Sequence, residues 1–289
     1  MSAITAKMVA DLRAKTDAPM MECKKALVEA DSDLEKAVDV LRTMGIAKAV
    51  KRAGRATNEG TIAAYVAESG KAGALLELSC ETDFVGTNPK FTAFARDLAR
   101  VVCESDPSDV EALKGCAMGK ATVADALTEM IHVIGENMKI VRFQRVSVEN
   151  GALSSYVHLG GKLADIVMFS FSNAATAERD EFKTFAHDVA MQVAASAPVA
   201  AKREDVPAQT IEREKAIYLA QATDSGRPEA IWETIANGKL EKFYKQIVLT
   251  EQVFIKDSSL TIFELAKRTS DACDDTIGIE GFVRFSFGE

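Results

Sequence analysis

The fold of this chain is organised around residues 75–88, which read LLELSCETDFVGTN. Leu76, Leu78 and Cys80 alternate with polar residues, and this period of two predicts a strand with one face in the core and one in solvent. Asn88 followed by Pro89 predicts a helix start, because asparagine caps helix N-termini and proline suits the first helical position. The residues between them, 82–87, are therefore predicted to form a loop.

This loop places an acidic residue, Asp83, beside a large aromatic one, Phe84. Loops between a strand and a helix often carry functional residues, because the rigid elements hold them in place. From this stretch alone, packing of the Phe84 ring into the core explains the sequence equally well.

A second copy of the same unit lies 91 positions downstream, since residues 60–102 align with residues 151–193 without a gap. A period of this length is too long for a solenoid and indicates a duplicated subdomain. We expect the repeat to be complete by Val193. Identical positions include the pairs Gly60/Gly151, Tyr65/Tyr156, Phe91/Phe182, Phe94/Phe185 and Asp97/Asp188.

The two copies differ in the loop. Opposite Thr82-Asp83-Phe84-Val85 stand Asn173-Ala174-Ala175-Thr176. If the ring of Phe84 were needed to close the subdomain, the second copy should carry a similar side chain, yet it has alanine. The difference predicts that the loop of the first copy serves a purpose other than folding.

Composition narrows the class of protein. The 289 residues are 47% hydrophobic and 27% charged, as in ordinary globular proteins, and the net charge is −8. An acidic chain is poorly suited to nonspecific nucleic-acid or anionic-membrane binding, so we expect neither partner. No apolar run approaches the about 20 residues that span a bilayer. The five cysteines are odd in number and show no paired spacing, which predicts reduced thiols and a cytoplasmic protein.

Strands and helices that do not alternate strictly indicate an α+β fold. Residues 104–121 are predicted to be irregular, and a helical hairpin with a break at residues 224–228 is predicted after Pro198. The other predicted elements are three helices within residues 1–54, strands at 61–67 and 72–81, helices at 89–103 and 123–134, a strand at 140–146, and a final helix and strand at 259–269 and 281–287.

We predict five parts in this order: a three-helix module (1–54), the first core copy (55–146), the first part of the second copy (147–205), an inserted helical hairpin (206–247) and the completion of the second copy (248–289). The three-helix module resembles the ubiquitin-associated type of bundle. Met20 stands where that module presents its binding loop, whereas we expect Met21 to pack in the core.

Enzyme chemistry is not evident. His132, His158 and His187 are far apart in the sequence, and no phosphate-binding loop, dinucleotide fingerprint or nucleophile elbow is present. Glu77, Glu81 and Asp83 are candidates for an acid/base or Mg²⁺ cluster. However, Glu77 and Glu81 would share a solvated strand face without a nearby histidine or lysine. We therefore expect neither a cofactor nor covalent catalysis.

Several motifs together resemble the elongation factor Ts family, the nucleotide exchange factors of the GTPase elongation factor Tu. The resemblance covers essentially the whole chain. It rests on the segments LRAKT (12–16), MMECKKAL (20–27), ETDFV (81–85), IGEN (134–137) and AMQVAAS (190–196).

The resemblance implies a function and a set of contact residues. In the family, the Thr-Asp-Phe-Val loop enters the GTPase near its Mg²⁺ site, which maps here to Thr82, Asp83, Phe84 and Val85, with Phe84 as a wedge. The hairpin at 206–247 corresponds to the coiled-coil element that joins two factors, which implies self-association. Further partner contacts map to Lys24, Met20, Ile134, Gly135 and His158.

Two departures from the family pattern stand out. Asp17 and Pro19 replace glycines that are frequent in the family, next to the N-terminal contact. Many members continue into a C-terminal helix, whereas this sequence stops at Glu289, so we expect that contact to be absent. Two other classes remain open: an interaction scaffold that binds a partner without exchange activity, and a thiol or metal enzyme that uses Cys80 or the acidic residues.

Overall fold

The computed structural model describes residues 4–224, 226 and 228–289. The chain divides into two compact units. Unit 1 comprises Met1–Ala63, Leu76–Phe143 and Gly288, and unit 2 comprises Ala64–Leu75, Gln144–Phe287 and Glu289. The architecture is mixed α and β, as expected. The five-part division drawn from the sequence remains a prediction.

The elements up to the end of the first copy are α1 (Ala6–Thr16), α2 (Met20–Glu29), α3 (Leu34–Arg52), β1 (Glu59–Val66), β2 (Ala72–Cys80), α4 (Asp83–Gly86), α5 (Pro89–Ser105), α6 (Val110–Gly115), β3 (Ala117–Met118), β4 (Ala121–Thr122), α7 (Val123–Ile134) and β5 (Met138–Ser147). Those that follow are β6 (Gly151–His158), β7 (Leu163–Ser170), α8 (Asp180–Ser196), α9 (Ala208–Thr223), α10 (Trp232–Ile247), β8 (Val253–Phe254), β9 (Asp257–Thr261), α11 (Ile262–Cys273) and β10 (Gly278–Ser286).

Several predicted boundaries are confirmed. Helix α5 begins at Pro89 with Asn88 as its cap, and α7 covers the predicted residues. The prediction that residues 104–121 are irregular is wrong. Asp109 caps the short helix α6 by accepting a hydrogen bond from the N–H of Ala112 at 2.8 Å, and β3 pairs with β4 across a turn at Gly119.

Helices α1 to α3 share a small core of their own, which includes Leu12, Cys23, Leu27 and Leu41. The break before α2 is confirmed, because Asp17 has a left-handed backbone that ends α1. The prediction that Met21 packs in this core is wrong, since its side chain is 64% exposed. Met21 lies in the first turn of α2, whose buried face begins at Cys23.

Charged and small residues connect these helices to α7 within unit 1. Gly45 of α3 lies so close to the buried ring of His132 that an added Cβ would sit 2.9 Å from Nδ1. His132 Nε2 is 2.7 Å from a carboxylate oxygen of Glu22, whose other oxygen is bound by Lys48. Burial opposes the charge on Glu22, but the hydrogen bonds from Lys48 and His132 outweigh it and lower its pKa.

Strand β2 lies between β1 and β5 in a three-stranded sheet. The expectation that one face of β2 is solvated is wrong, because Glu77 and Ser79 are only 4% and 2% exposed. Glu77 accepts a hydrogen bond from Arg142 Nε at 2.7 Å, and Ser79 donates to Thr57 Oγ1 at 2.9 Å. These polar partners allow a central strand to be buried on both faces despite its alternating sequence.

Unit 2 contains an antiparallel sheet in the order β10-β7-β6. Helix α8 packs on this sheet through Phe182 and Phe185. Both rings contact the ring of Phe169 on β7 edge-on, with centroid distances of 5.6 and 5.5 Å. Their counterparts in the first copy, Phe91 and Phe94, are buried on α5. The aromatic pair that the repeat predicted is therefore a core element in both copies.

The prediction that the repeat is complete by Val193 is wrong. Helix α7 follows the strand pair β3-β4 and leads into β5, and α11 follows β8-β9 and leads into β10 in the same way. Both helices have 12 residues and begin with a threonine capping box, formed by Thr122 with Asp125 and by Thr261 with Glu264. The gapless alignment ends before this half of the repeat, which the five-part division placed at residues 248–289, because the insertion that holds α9 and α10 changes the spacing.

Helices α9 and α10 contact each other along the insertion, so the predicted pair of helices is confirmed. The predicted break includes Ser225 and Arg227, which lie outside the described residues. The apolar residues Trp232, Ile235, Leu240, Phe243 and Tyr244 of α10 are each only partly covered.

An unusual carboxylate lies at the centre of the second sheet. Asp165 of β7 stands between Arg284 of β10 and Tyr156 of β6. Its side chain is fully buried, and among the described residues neither carboxylate oxygen finds a hydrogen-bond donor. Burial raises the pKa of Asp165 to about 8, although the charge of Arg284 opposes the shift.

The raised pKa predicts a pH-dependent stability. The folded state retains a proton that the unfolded chain releases above about pH 4, so its stabilising effect is lost as the pH rises through about 8. We expect the free energy of unfolding to fall by about 2–4 kcal/mol between about pH 5 and about pH 8, and Asp165→Asn to remove most of this dependence. Urea unfolding at the two pH values measures it, with the exposed Asp271→Asn as control. Equal pH slopes for Asp165→Asn and wild type would contradict the assignment.

Candidate functional site

Helix α4 (Asp83–Gly86), capped by Thr82, is a single helical turn, so the prediction that residues 82–87 form a loop is wrong for these residues. Thr82 has an extended backbone and caps α4, because its Oγ1 accepts a hydrogen bond from the N–H of Val85 at 3.4 Å. Thr87 Oγ1 donates to the carbonyl of Asp83 at 3.1 Å and supports the end of the turn. Threonine followed by an acidic residue is therefore the local signal for a cap here.

The turn buries one side and exposes the other. Val85 and Gly86 face inward, and Gly86 lies against the backbone of Gly60, where an added Cβ would meet the carbonyl oxygen at 3.2 Å. Phe84 points the other way and is 83% exposed. The ring of Phe84 is therefore not part of the core. Asp83 beside it is also exposed and accepts a hydrogen bond from the N–H of Phe84 at 2.9 Å.

A carboxylate from a distant part of the chain holds the base of the turn. Glu136 Oε2 accepts hydrogen bonds from the N–H groups of Glu81 and Thr82, both at 3.1 Å. Glu136 Oε1 accepts a third from Thr82 Oγ1 at 2.7 Å. Bonds to an ionised acceptor are stronger than neutral ones. Glu136 was not predicted as a site residue, although it lies inside the IGEN segment.

Ile134 and Gly135 lie at the end of α7, directly before Glu136. Gly135 has a left-handed backbone with φ of 92°, and its N–H bonds to the carbonyl of Ile131. This conformation suits glycine and ends the helix. The structure thus brings Ile134 and Gly135, through Glu136, to the base of the Thr82–Val85 turn.

The second copy has a turn of the same kind without an aromatic side chain. A 3₁₀ turn spans Ala174–Glu178, and Asn173 caps it by accepting a hydrogen bond from the N–H of Ala175 at 3.0 Å. The carboxylate of Asp275 accepts hydrogen bonds from Ser172, Asn173 and Thr176 at the base of this turn. The hydrogen bonds from Ser172 and Thr176 hold the pKa of Asp275 well below its usual range. The two copies therefore share the supported turn and differ in what it presents.

The N-terminal candidates lie on the surface of unit 1. Met20 is 56% exposed in the first turn of α2, and Lys24 is exposed one turn later. Lys90, in the first turn of α5, forms an ion pair of 2.9 Å with Asp17, which lies just before α2. This contact connects the segment that precedes α2 to the helix that follows the Phe84 turn.

His158 lies in unit 2 as the last residue of β6 and is exposed. Its Nδ1 is 3.1 Å from the hydroxyl oxygen of Tyr156, and the two rings stack with centroids 5.8 Å apart. Leu159, next to it, has a left-handed φ of 48° and is 73% exposed. The turn therefore presents an imidazole and an apolar side chain together.

Neither a metal centre nor a membrane span is found in the part of the chain that the structure describes. No three histidine, cysteine or acidic side chains among the described residues are arranged to hold a metal ion. None of the described helices combines the length and the apolar character needed to cross a membrane. Cys23, Cys80, Cys103 and Cys273 are buried.

Sequence comparison assigns the family. The profile of the family described as "Elongation factor TS" matches residues 81–289. The elongation factor Ts of Clostridium botulinum is 42% identical over 99% of this chain and 93% of its own length. The elongation factors Ts of Trichlorobacter lovleyi and Clostridium perfringens are each 43% identical, with the same coverage.

The chain belongs to the elongation factor Ts family. The family profile begins at Glu81, so it takes in the Phe84 turn, Glu136 and the whole of unit 2 from Gln144 onward. Helices α1 to α3 precede the profile but fall within the alignment to the full-length relatives. The resemblance drawn from the five sequence segments is thereby confirmed.

Proposed function

We propose that this chain binds elongation factor Tu carrying GDP and promotes release of the nucleotide. In this proposal, residues Thr82, Asp83, Phe84 and Val85 enter the GTPase near its Mg²⁺ site, with Phe84 as the wedge. The observation that carries the proposal is the ring of Phe84, 83% exposed on a turn that is capped by Thr82 and bonded by Glu136. A large apolar side chain held outward at a fixed position is typical of a binding anchor.

Phe84 alone is too weak to exchange a tightly held nucleotide. Shifting a partner from almost fully loaded to almost fully empty needs about 5.5 kcal/mol of differential affinity. Burial of one phenylalanine contributes about 1.5–3 kcal/mol. The remainder must come from a wider interface that favours the nucleotide-free GTPase. We assign Lys24, Met20, Ile134, Gly135 and His158 to that interface. The first four fall within a family motif, and His158 is exposed at the end of β6.

Two further parts of the proposal concern chemistry and location. Exchange needs no covalent step, so the chain acts by binding alone, with no cofactor of its own. Mg²⁺ bridges the phosphates of the nucleotide and the GTPase, and displacing its site loosens the phosphate end directly. We place the protein in the cytoplasm with its partner, in keeping with its five cysteines, which are odd in number and show no paired spacing.

Helices α1 to α3 are proposed to act as a module of the ubiquitin-associated type. Met20 and Met21 are both exposed at the start of α2, so this end of the module offers an adaptable apolar contact. The same exposure also suits the competing function of a scaffold that binds a partner without altering its nucleotide. Nucleotide release separates the two functions.

The exchange function predicts a specific loss in Phe84→Ala. We expect the wild-type chain to accelerate release of labelled GDP from purified elongation factor Tu. Phe84→Ala should lower the stimulated rate by about tenfold or more, since one buried phenylalanine corresponds to at least that factor. The control is Phe263→Ala, which removes another exposed phenylalanine, 64% exposed on α11.

Thermal melts of both variants should stay close to wild type, because neither ring is buried. A wild-type chain that binds elongation factor Tu without accelerating release would support the scaffold instead. Equal rates for Phe84→Ala and Phe263→Ala would remove Phe84 from the site. The same assay with His158→Ala tests the contact proposed for unit 2.

We propose that residues 206–247 form a coiled-coil hairpin through which two copies of the chain associate. The partly covered apolar residues of α10 support this, since they exceed what α9 covers. We expect light scattering to give a dimer for the intact chain, and a monomer after residues 206–247 are replaced by a short glycine linker. The deletion must retain β10, which completes the second sheet, and α11, which contacts α8. A monomeric intact chain would leave the hairpin without this role.

A further inference from the structure

Two glutamates form a reciprocal set of hydrogen bonds at the base of the Phe84 turn. The side chain of Glu136 accepts from the backbone of Glu81 and Thr82. In return, Glu81 Oε1 accepts from the backbone N–H of Asn137 at 2.6 Å. Each carboxylate therefore bonds the backbone beside the other. The end of β2 and the start of β5 are joined by side chains where the ladder between the strands stops.

Neighbouring groups fix both glutamates in place. Glu136 follows Gly135, whose left-handed conformation sets the direction in which the chain leaves α7. Asn137 is 2% exposed and donates its amide to the carbonyl oxygens of Ala53 and Arg55 at 3.4 and 2.8 Å. The guanidinium of Arg55 in turn lies 3.3 Å from Glu81 Oε1. The carboxylates are thus held before any partner binds, which lowers the entropic cost of association.

The second copy shows which of these hydrogen bonds are particular to the turn that presents Phe84. Asp275 accepts hydrogen bonds from the N–H groups of Ser172 and Asn173 at 3.2 and 3.0 Å. It also accepts from Ser172 Oγ and Thr176 Oγ1, both at 2.6 Å. Ser172 stands where the first copy has Glu81 and donates to Asp275 through its hydroxyl, so it supplies no carboxylate for a return bond.

A supporting carboxylate is therefore common to both turns. The return bond from a second carboxylate belongs to the turn that presents Phe84. A turn of four residues has little stability of its own, because the cost of nucleating a helix is not recovered over such a length. Its direction must be set by contacts at its base, and Glu136 makes three of them.

We propose that Glu136, supported by Glu81, is a positioning residue for nucleotide exchange: it sets the direction in which the Thr82–Val85 turn presents Phe84. Glu136 acts through Phe84 and need not touch the GTPase. This inference rests on the proposed exchange function. It also explains why the ETDFV and IGEN segments occur together, since their backbones and carboxylates bond each other.

The first test compares variants of Glu136 in the stimulated release of GDP from elongation factor Tu, with the maximal rate and KM measured separately. Glu136→Ala should lower the maximal rate by about tenfold, as expected for losing charge-assisted hydrogen bonds, while KM changes by less than about threefold. Glu136→Gln should retain most of the rate, because its amide oxygen still reaches both N–H groups. Glu136→Asp should behave like alanine, because its shorter side chain cannot.

Asp275→Ala is the matched control. It removes the equivalent carboxylate beneath a turn that has alanine in place of Phe84, so the exchange rate should stay within about twofold of wild type. An equal loss of rate in Asp275→Ala and Glu136→Ala would show that any damage to these turns slows exchange. That result would overturn the positioning role.

A double-mutant cycle with Phe84→Ala distinguishes a positioning role of Glu136 from a purely structural one. If Glu136 acts through Phe84, Glu136→Ala should cost no more than about twofold in the Phe84→Ala background, against about tenfold in the wild-type background. An unfolded fraction lowers the rate by the same factor in both backgrounds. Equal factors would therefore overturn the proposal. Glu136→Asp replaces Glu136→Ala in the cycle if the alanine variant does not fold.

These outcomes are distinct from failure of the exchange function itself. If the wild-type chain does not accelerate GDP release, the proposed function fails and the inference fails with it. If the wild-type chain accelerates release and Phe84→Ala is impaired, but Glu136→Ala matches wild type, only the positioning role is wrong.

Discussion

Both turns of the duplicated core, including the one that presents Phe84, depend on one interaction, in which a carboxylate accepts the backbone N–H groups at the end of a central strand. Glu136 provides it in the first copy and Asp275 in the second. The end of a strand and the start of a helical turn both leave N–H groups without partners in the ladder or the helix. An ionised acceptor at this point satisfies several of them together and fixes the angle between the two elements. The exposed ring of Phe84 is held in place by this arrangement.

Duplication supplied two similar sheets whose buried polar groups then diverged. The first copy buries Glu77 with Arg142 in its sheet, whereas the matching positions of the second are Met168 and Gly281, which face each other on β7 and β10. The second copy instead buries Asp165 opposite Arg284. The sheets are equivalent in topology and differ in their electrostatics, so unit 2 should be the more sensitive to pH.

Elements that are marked by neighbouring residues could be predicted from the sequence, whereas those that depend on distant residues could not. The start of α5 and the extent of α7 were predicted well, because Asn88-Pro89 and the apolar period mark them directly. The short turn α4 was missed, because four residues carry no periodicity and the bonds that fix it come from Glu136, far away in the sequence. Glu77 was placed in solvent because alternation cannot reveal that a partner such as Arg142 covers the polar face.

The gapless alignment of the two copies missed the second half of the repeat for a different reason. Helices α7 and α11 share their length and capping geometry but little sequence, and the insertion of α9 and α10 displaces them from the first period. The exposed position of Met21 was also missed, because the three-helix core takes Cys23 and Leu27 from α2 and neither of the two methionines. The family motifs indicated which residues to consider, whereas the bonds between ETDFV and IGEN became visible only in three dimensions.

We propose that the chain favours a GTPase without nucleotide and that Phe84 supplies part of that preference. Titration calorimetry of the chain against nucleotide-free elongation factor Tu, and against the same protein saturated with GDP and Mg²⁺, tests it most directly. Linkage requires the ratio of the two affinities to equal the factor by which the chain weakens GDP binding. We expect much tighter binding to the nucleotide-free form and a smaller ratio for Phe84→Ala. Equal affinity for the two forms would contradict it.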